Sequence, residues 1–479
     1  MGPFNSLLKI NLALALAVAL ASCWNDGLGA ETRATEPTLD TFDPQKIDAF
    51  LNAEVRQKGR VGLSVAIVQQ GRAVLTKAYG KRSLEEGIDA DVDTLFAIGS
   101  VTKQFTCACV LLLADDRKLA PTDKVSKYYP GLTKADKITL LDLMNHTSGY
   151  PDYYPLDFVD RRMQRAISPD ELIREYAGGK LDFDPGTKWS YSNTGYILLG
   201  RIVEKVSGQS LGRFMERRIF KPLGMHHTRY EPEMEDKRLA KGYTAFATGK
   251  PEKVDPEARG WLEAAGGIYS TPSDIVKWDL GLMDGKILKP ATMKLMTTPR
   301  ELADGRITDY GCGLGVSVRN GRRVWAHTGA VSGFAAANSM VPSTRSAIVM
   351  MANKENGLGG LPGRLVALML KDESAVPKVA GRGADEVARN LFEALQQGKV
   401  DRTKFSEEFN LFLTDEKLGK AATRLARYGK PLKTEVLSTN ERGGLEVTRT
   451  SLQCASAKFV VLMYRRPDGI VEQCFVDEE

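Results

Sequence analysis

A chain of 479 residues exceeds the roughly 100–200 residues of one ordinary domain, so more than one domain is expected. Hydrophobic residues at 43% and charged residues at 26% are ordinary for a globular protein and argue against a disordered or fibrous chain. The net charge of +6 is spread thinly, with no run of five or six like charges and no zinc-finger or RNA-binding signature, which argues against nucleic acid as a partner.

The first segment carries Lys9 and then an apolar run from Leu12 to Ala21. A membrane-spanning helix needs roughly 20 apolar residues, so this shorter run reads as the core of a signal peptide over residues 1–22. Leu20-Ala21-Ser22-Cys23 resembles the bacterial lipobox, in which the cysteine is lipidated and becomes the new N-terminus. Ordinary cleavage after Ala21 or near Ala30 is the alternative. The expectation is an exported protein, periplasmic or membrane-anchored through lipid on Cys23, with residues 23–43 as a polar tether.

Ile47, Phe50, Leu51 and Val55 recur at helical spacing, and Val61–Gln69 and Ala73–Tyr79 read as a hairpin around Gly71 at the edge of a sheet. Helices are predicted near 99–117, 169–178, 194–207 and 272–283. Arg322–His327, Ala335–Val341 and Ser346–Ala352 are short strands, and Leu361–Lys371 closes the domain as a helix. Strands at both ends and helices between them predict an α+β fold, an antiparallel sheet flanked by helices, over residues 44–372. Residues 373–383, with Pro377, Gly381 and Gly383, read as a linker. Beyond it, two helices and a four-stranded meander predict a smaller α+β domain over 384–479.

Three stretches carry candidate chemistry. Ser100 and Lys103 lie three apart at the start of an apolar helix, so the amine can reach the hydroxyl, and the helix dipole favours an oxyanion at Ser100. Serine needs a neighbouring base, and a lysine can serve only if burial or another cation depresses its pKa. Tyr191, in Trp189-Ser190-Tyr191-Ser192-Asn193, can present its hydroxyl to a cleft. With cations near, its pKa would fall and make it a proton relay, while Asn193 would bond Lys103 or a substrate carbonyl. His327-Thr328-Gly329-Ala330 ends a predicted strand, where Gly329 would let substrate approach the backbone and the strand edge would supply a backbone N–H for an oxyanion hole.

Taken together, these stretches resemble the serine β-lactamase and penicillin-binding-protein superfamily, in its class C β-lactamase-like branch of D-aminopeptidases, D-Ala-D-Ala carboxypeptidases and related carboxylesterases. The family motifs Ser-x-x-Lys, Tyr-x-Asn and Lys/His-x-Gly occur in order at Ser100–Lys103, Tyr191–Asn193 and His327–Gly329. Leu143–Gly149, Pro222–Met225, Ala265–Thr271 and Tyr310–Gly313 add family-like stretches. The resemblance implies an acyl-enzyme on Ser100, proton transfer shared by Lys103 and Tyr191, and an oxyanion hole from the N–H groups of Ser100 and Ala330. It implies substrate binding by Asn193, His327, Thr328 and Gly329, and it implies no cofactor or metal. Which of Lys103 and Tyr191 takes the first proton is left open. Where the lactamases usually carry a lysine this chain has His327, so carboxylate recognition should depend on histidine protonation. Tyr150, Tyr153 and Tyr154 are expected at the mouth of the site.

The expected activity is hydrolysis of an amide, peptide or ester, with a β-lactamase or a slowly deacylating penicillin-binding receptor as the alternative. Gly208-Gln209-Ser210-Leu211-Gly212 matches an esterase elbow but lacks a preceding strand. The 4 histidines form no His-Glu-x-x-His metal motif. Cys454 and Cys474 are candidates for a disulfide in an oxidising compartment.

Overall fold

The computed structural model describes residues 39, 41–154, 161–245, 249–371 and 376–479. The predicted signal peptide, Cys23, nearly all of the tether and part of the linker lie outside the described residues.

Helix α1, Pro44–Gln57, starts where the Asp43 carboxylate accepts from the N–H groups of Gln45 and Lys46, with Pro44 at the first helical position. It buries Ile47, Phe50, Leu51 and Val55. Strands β1, Gly62–Gln69, and β2, Arg72–Ser83, follow. They meet through Gln70 and Gly71, whose φ angles of 50° and 76° suit the twist of a two-residue hairpin. A two-residue strand, β3 (Ile88–Asp89), flanks β2. The chain then leaves the sheet for a helical layer containing α2 (Thr102–Asp115), α3 (Pro169–Ala177), α4 (Asn193–Ser207) and α5 (Pro272–Met283).

It returns through β4 (Gly315–Arg319), β5 (Arg322–Val331), β6 (Phe334–Val341) and β7 (Ser346–Ala352), and α6 (Leu361–Met369) follows. The seven strands form one antiparallel sheet in the order β3-β2-β1-β7-β6-β5-β4. The two ends of the domain join where β1 pairs with β7, from Leu63 opposite Ala352 to Val68 opposite Ala347.

Period-two alternation divides β1 between two cores. Leu63, Val65 and Ile67 pack with α1 and α6, while Ala66 and Val68 pack with the layer containing α2. Helix α2 is buried on every side from Thr102 to Leu113, which explains why its sequence is apolar without a clear stripe.

Strand β5 runs on to Val331, four residues past the predicted end at His327. β4 pairs only with Arg322–Ala326, while β6 pairs with Trp325–Val331. The His327–Val331 stretch is therefore held from one side, as an extended edge rather than a terminating turn.

The C-terminal domain packs α7 (Ala384–Gln396) and α8 (Asp415–Leu425) with an antiparallel meander of β8 (Lys433–Arg442), β9 (Leu445–Gln453), β10 (Lys458–Arg465) and β11 (Val471–Glu478). Ala388, Phe392, Leu418, Leu452, Phe459 and Val461 belong to its core. The predicted Cys454–Cys474 bridge is not formed: Cys454 lies just past β9 and Cys474 on β11, with β10 between them, and both thiols are free.

Candidate active site

Ser100 sits in a 3-10 turn, Gly99–Val101, just before α2 rather than capping it; the residue before the first helical turn is Val101, which offers no side-chain cap. The hydroxyl is therefore not spent on the helix end. Gly99, at φ 50°, bends the chain there.

Strand β5 runs unusually close to this turn. A Cβ on Gly329 would fall 1.9 Å from the Ile98 carbonyl oxygen and 3.1 Å from the Ser100 nitrogen, and one on Gly99 would fall 2.9 Å from the Ala330 nitrogen. Gly329 is thus required by backbone packing. The close approach brings the neighbourhoods of Ser100 N and Ala330 N together.

Lys103 has no exposed surface. Its Nζ lies 3.1 Å from Ser100 Oγ, 2.7 Å from Asn193 Oδ1 and 2.8 Å from the Ala265 carbonyl oxygen. The last two partners can only accept, so they use two N–H bonds of the amine, and Ser100 is the one partner able to donate back. A neutral amine satisfies all three contacts. Burial lowers the ammonium to about 7, against an opposing pull from the Asp152 carboxylate.

Asn193, first residue of α4, is fixed by Asp152. The Asp152 Oδ1 accepts from Asn193 N (2.9 Å), Asn193 Nδ2 (3.1 Å) and Tyr154 N (3.3 Å). Its Oδ2 accepts only a shared bond from Asn193 Nδ2 at 3.2 Å. Burial raises the Asp152 carboxyl, with these bonds and Lys103 acting the other way.

Tyr191 departs from expectation. Its hydroxyl is buried and completes no hydrogen bond, although Ser100 is near enough to favour its ionised form. Burial outweighs that contact and holds the phenol above its ordinary value, so it does not fall toward neutrality. The ring lies 4.8 Å below Lys103 Nζ and 4.2 Å from the ring of His146.

His327 departs from expectation as well. It is buried, its Nδ1 lies 2.5 Å from the Thr328 carbonyl oxygen, and its Nε2 lies 2.8 Å from the Tyr310 hydroxyl. The carbonyl can only accept, so Nδ1 carries the proton and Nε2 accepts from Tyr310. Burial, then the Lys103 charge, lowers the imidazole to about 4. It is a neutral bridge, not a substitute cation that switches on between pH 8 and 6.

The cleft over these groups has a volume of about 530 Å³; Ser100, Tyr191, Asn193, His327, Thr328, Gly329 and Ala330 line it. Tyr150 and Tyr153 do not. Both are buried, the first with its hydroxyl on the Thr133 carbonyl and the second packed on Tyr176 and Trp261. The intervening loop turns Asp152 and Tyr154 toward the cleft instead. Sequence reasoning missed Asp152, which lies unmarked among three tyrosines. It also missed Tyr310 and the Ala265 carbonyl, although both sit in stretches singled out as family-like. The esterase elbow is absent: Ser210 caps the short helix Leu211–Met215 and follows the left-handed Gly208 that ends α4, with no strand before it.

The sequence profile of the beta-lactamase family matches residues 47–370. The chain belongs to the beta-lactamase family. It is similar to a putative penicillin-binding protein, PbpX, of Bacillus subtilis, at 28% identity over 70% of this chain and 81% of that one. It is 25% identical to a D-aminopeptidase of Brucella anthropi over 84% of this chain and 74% of that one. Among solved structures, the D-amino acid amidase of Ochrobactrum anthropi in complex with L-phenylalanine amide superposes with a TM-score of 0.58 at 25% identity. That match covers 67% of this chain and 95% of that one. Within this family of hydrolases and penicillin-binding proteins, the chain is an enzyme of the serine hydrolase type.

Proposed function

We propose that the protein hydrolyses amides, peptides or esters of amino acids bearing a free α-amino group, D-amino acids in particular, through an acyl-enzyme on Ser100. The observation that carries this reading is the contact set of Lys103: a buried amine depressed to about 7, with two acceptors fixed and the Ser100 hydroxyl on its remaining side. Lys103 takes the Ser100 proton as the oxygen attacks the acyl carbon. The N–H groups of Ser100 and Ala330 receive the developing oxyanion. Tyr191, still protonated, passes a proton to the leaving nitrogen or oxygen and is restored from Lys103. Water then attacks the acyl-serine by the same steps in reverse.

The choice of substrate rests on charge. Asp152 and Glu355 line the cleft, while His327 is neutral and Lys103 lies behind Ser100 and Asn193. Such a cleft favours an ammonium over a carboxylate. Asp152 Oδ2 keeps capacity for one, whereas Oδ1 is filled by three N–H groups. The D configuration is supported by the aminopeptidase and amidase relatives. Export through the N-terminal segment, with lipid on Cys23, places this chemistry outside the cytoplasm in this reading.

The test is mass spectrometry of the protein after reaction with a fluorophosphonate, with the adduct expected on the Ser100 peptide. An adduct elsewhere, or none, sinks the reading. A stable β-lactam adduct on Ser100 with no turnover of any amino acid amide would instead favour a penicillin-binding receptor.

A further inference from the structure

The C-terminal domain holds a second cleft, bounded by the linker, α7 and the turn between β10 and β11, with a volume of about 740 Å³. That lies within the range of small-molecule sites and exceeds the cleft at Ser100. Helix α7 explains how it forms. Ala388 and Phe392 pack into the core of the domain, whereas Val387, Leu391 and Ala394, at i, i+4 and i+7, line the cleft. Val400, Phe405 and Ile470 supply further apolar lining. The linker is held there because the Ala380 N–H donates to the Pro467 carbonyl at 2.8 Å, and a Cβ on Gly469 would fall 2.8 Å from the Ala380 oxygen.

Of the charged groups at the cleft, Arg382 pairs with Glu386 and Arg465 with Glu446. The two carboxylates, Asp401 and Asp468, engage local donors. Asp401 Oδ1 accepts from the N–H and hydroxyl of Thr403, at 3.1 and 2.6 Å. Asp468 Oδ1 accepts from Ile470 N at 3.1 Å, and its Oδ2 pairs with Arg466 at 2.9 Å. On the cationic side, Arg465 is only 3% exposed. Its Nε and Nη2 reach Glu446 and its Nη1 reaches the Arg382 carbonyl, which uses three of the five N–H donors of a guanidinium. Lys404 is exposed and forms no ion pair among the described residues, although its charge acts on Asp401. The remaining donors of a buried arginine paired with Glu446, and a lysine with no ion pair among the described residues, thus border a largely apolar cleft.

We propose that this cleft binds a small amphipathic anion, with its apolar body against Val387, Leu391, Val400 and Ile470 and a carboxylate or phosphate head on Arg465 and Lys404. The inference is independent of the chemistry at Ser100. It assigns the second domain a ligand-binding role.

The test is titration calorimetry on the full chain carrying Ser100→Ala, with decanoate, decyl phosphate and decyltrimethylammonium as probes. Saturable one-to-one binding is expected for at least one of the two anions, and which one binds tighter identifies the head group. The cation, with the same tail, should bind at least tenfold more weakly. Shortening decanoate to octanoate removes two methylenes and should weaken binding by roughly fifteenfold, since each buried methylene contributes about fourfold. Lys404→Glu, at an exposed position, should weaken the anions tenfold or more with an unchanged melting temperature, and Ala394→Trp should block the cleft. No saturable binding of either anion overturns the proposal. So does equal binding of the cation, or anion affinity that survives Lys404→Glu.

Discussion

Lys103 Nζ donates to Asn193 Oδ1 at 2.7 Å, and the amide nitrogen of the same asparagine donates to Asp152. One side chain thus aims the buried amine at Ser100 and spends its other end on a carboxylate. Asn193 acts through Lys103, which is a positioning role. The carboxylate at the end of this chain also tunes the amine, since Asp152 opposes the effect of burial on Lys103.

Acylation should follow the neutral form of Lys103. With the ammonium at about 7, kcat/KM for a neutral ester should climb as pH rises through that value and level off above it. Lys103→Arg cannot lose its proton near neutrality and should cost about 10²–10⁴ in rate, the usual contribution of a positioned base. A pH profile whose acid limb is unchanged in a slow Lys103→Ala variant would exclude lysine as the base.

Gly329→Ala should separate the backbone from the chemistry. The new Cβ would meet the Ile98 carbonyl at 1.9 Å, so β5 must retreat from the Ser100 turn. A misplaced oxyanion donor costs roughly 10²–10³ in kcat. Circular dichroism and fluorophosphonate labelling of the variant check that fold and nucleophile persist. Full turnover by a folded Gly329→Ala protein would show that the close approach is not needed.

How far the sequence could be read follows from where each signal resides. The hairpin at Gly71, the buried helix after Ser100 and the meander are local patterns, and each forms close to where the pattern places it. Ser100, Lys103, Asn193 and Tyr191 converge as the motifs implied, but their electrostatics were not local. The sequence suggests a Tyr191 that loses its proton easily, and burial does the reverse. An isolated histidine titrates near neutrality, and burial beside Lys103 keeps His327 from doing so. The closely spaced tyrosines suggest a shared place at the mouth of the site, yet the turn through Asp152 buries Tyr150 and Tyr153 and leaves Tyr154 at the cleft. Loop direction and desolvation are set by distant packing, and no spacing in the chain encodes them.

Because His327 stays neutral down to about pH 4, the preference between a carboxylate-bearing substrate and its neutral ester should be flat from pH 8 to 6. It should rise toward the anionic substrate only below about pH 5. Measuring kcat/KM for such a pair at four pH values decides the matter. A ratio that moves tenfold between pH 8 and 6 would mean that the histidine titrates in the ordinary range and that its bond from Tyr310 is not kept in solution.

Asp152→Asn distinguishes recognition of an amine from support of Asn193. Asparagine can keep an oxygen where Oδ1 now accepts from Asn193 N, Asn193 Nδ2 and Tyr154 N, so most of the support survives and the charge does not. An ammonium about 4 Å from a carboxylate gains roughly 4 kcal/mol at an effective dielectric near 20, before desolvation. Even a third of that is about tenfold in kcat/KM. The preference for D-alanine p-nitroanilide over propionyl p-nitroanilide, which lacks only the amine, should therefore fall by about tenfold or more in the variant. A second readout follows from the same charge: Asp152 holds the Lys103 ammonium up, so its loss should move the acid limb of the pH profile to lower pH. If Asp152 served only to hold Asn193, both substrates would slow by the same factor and their ratio would not change. A constant ratio in Asp152→Asn, with Ser100 still labelled by fluorophosphonate, would remove the amine from the proposed substrate while leaving the acyl-serine chemistry in place.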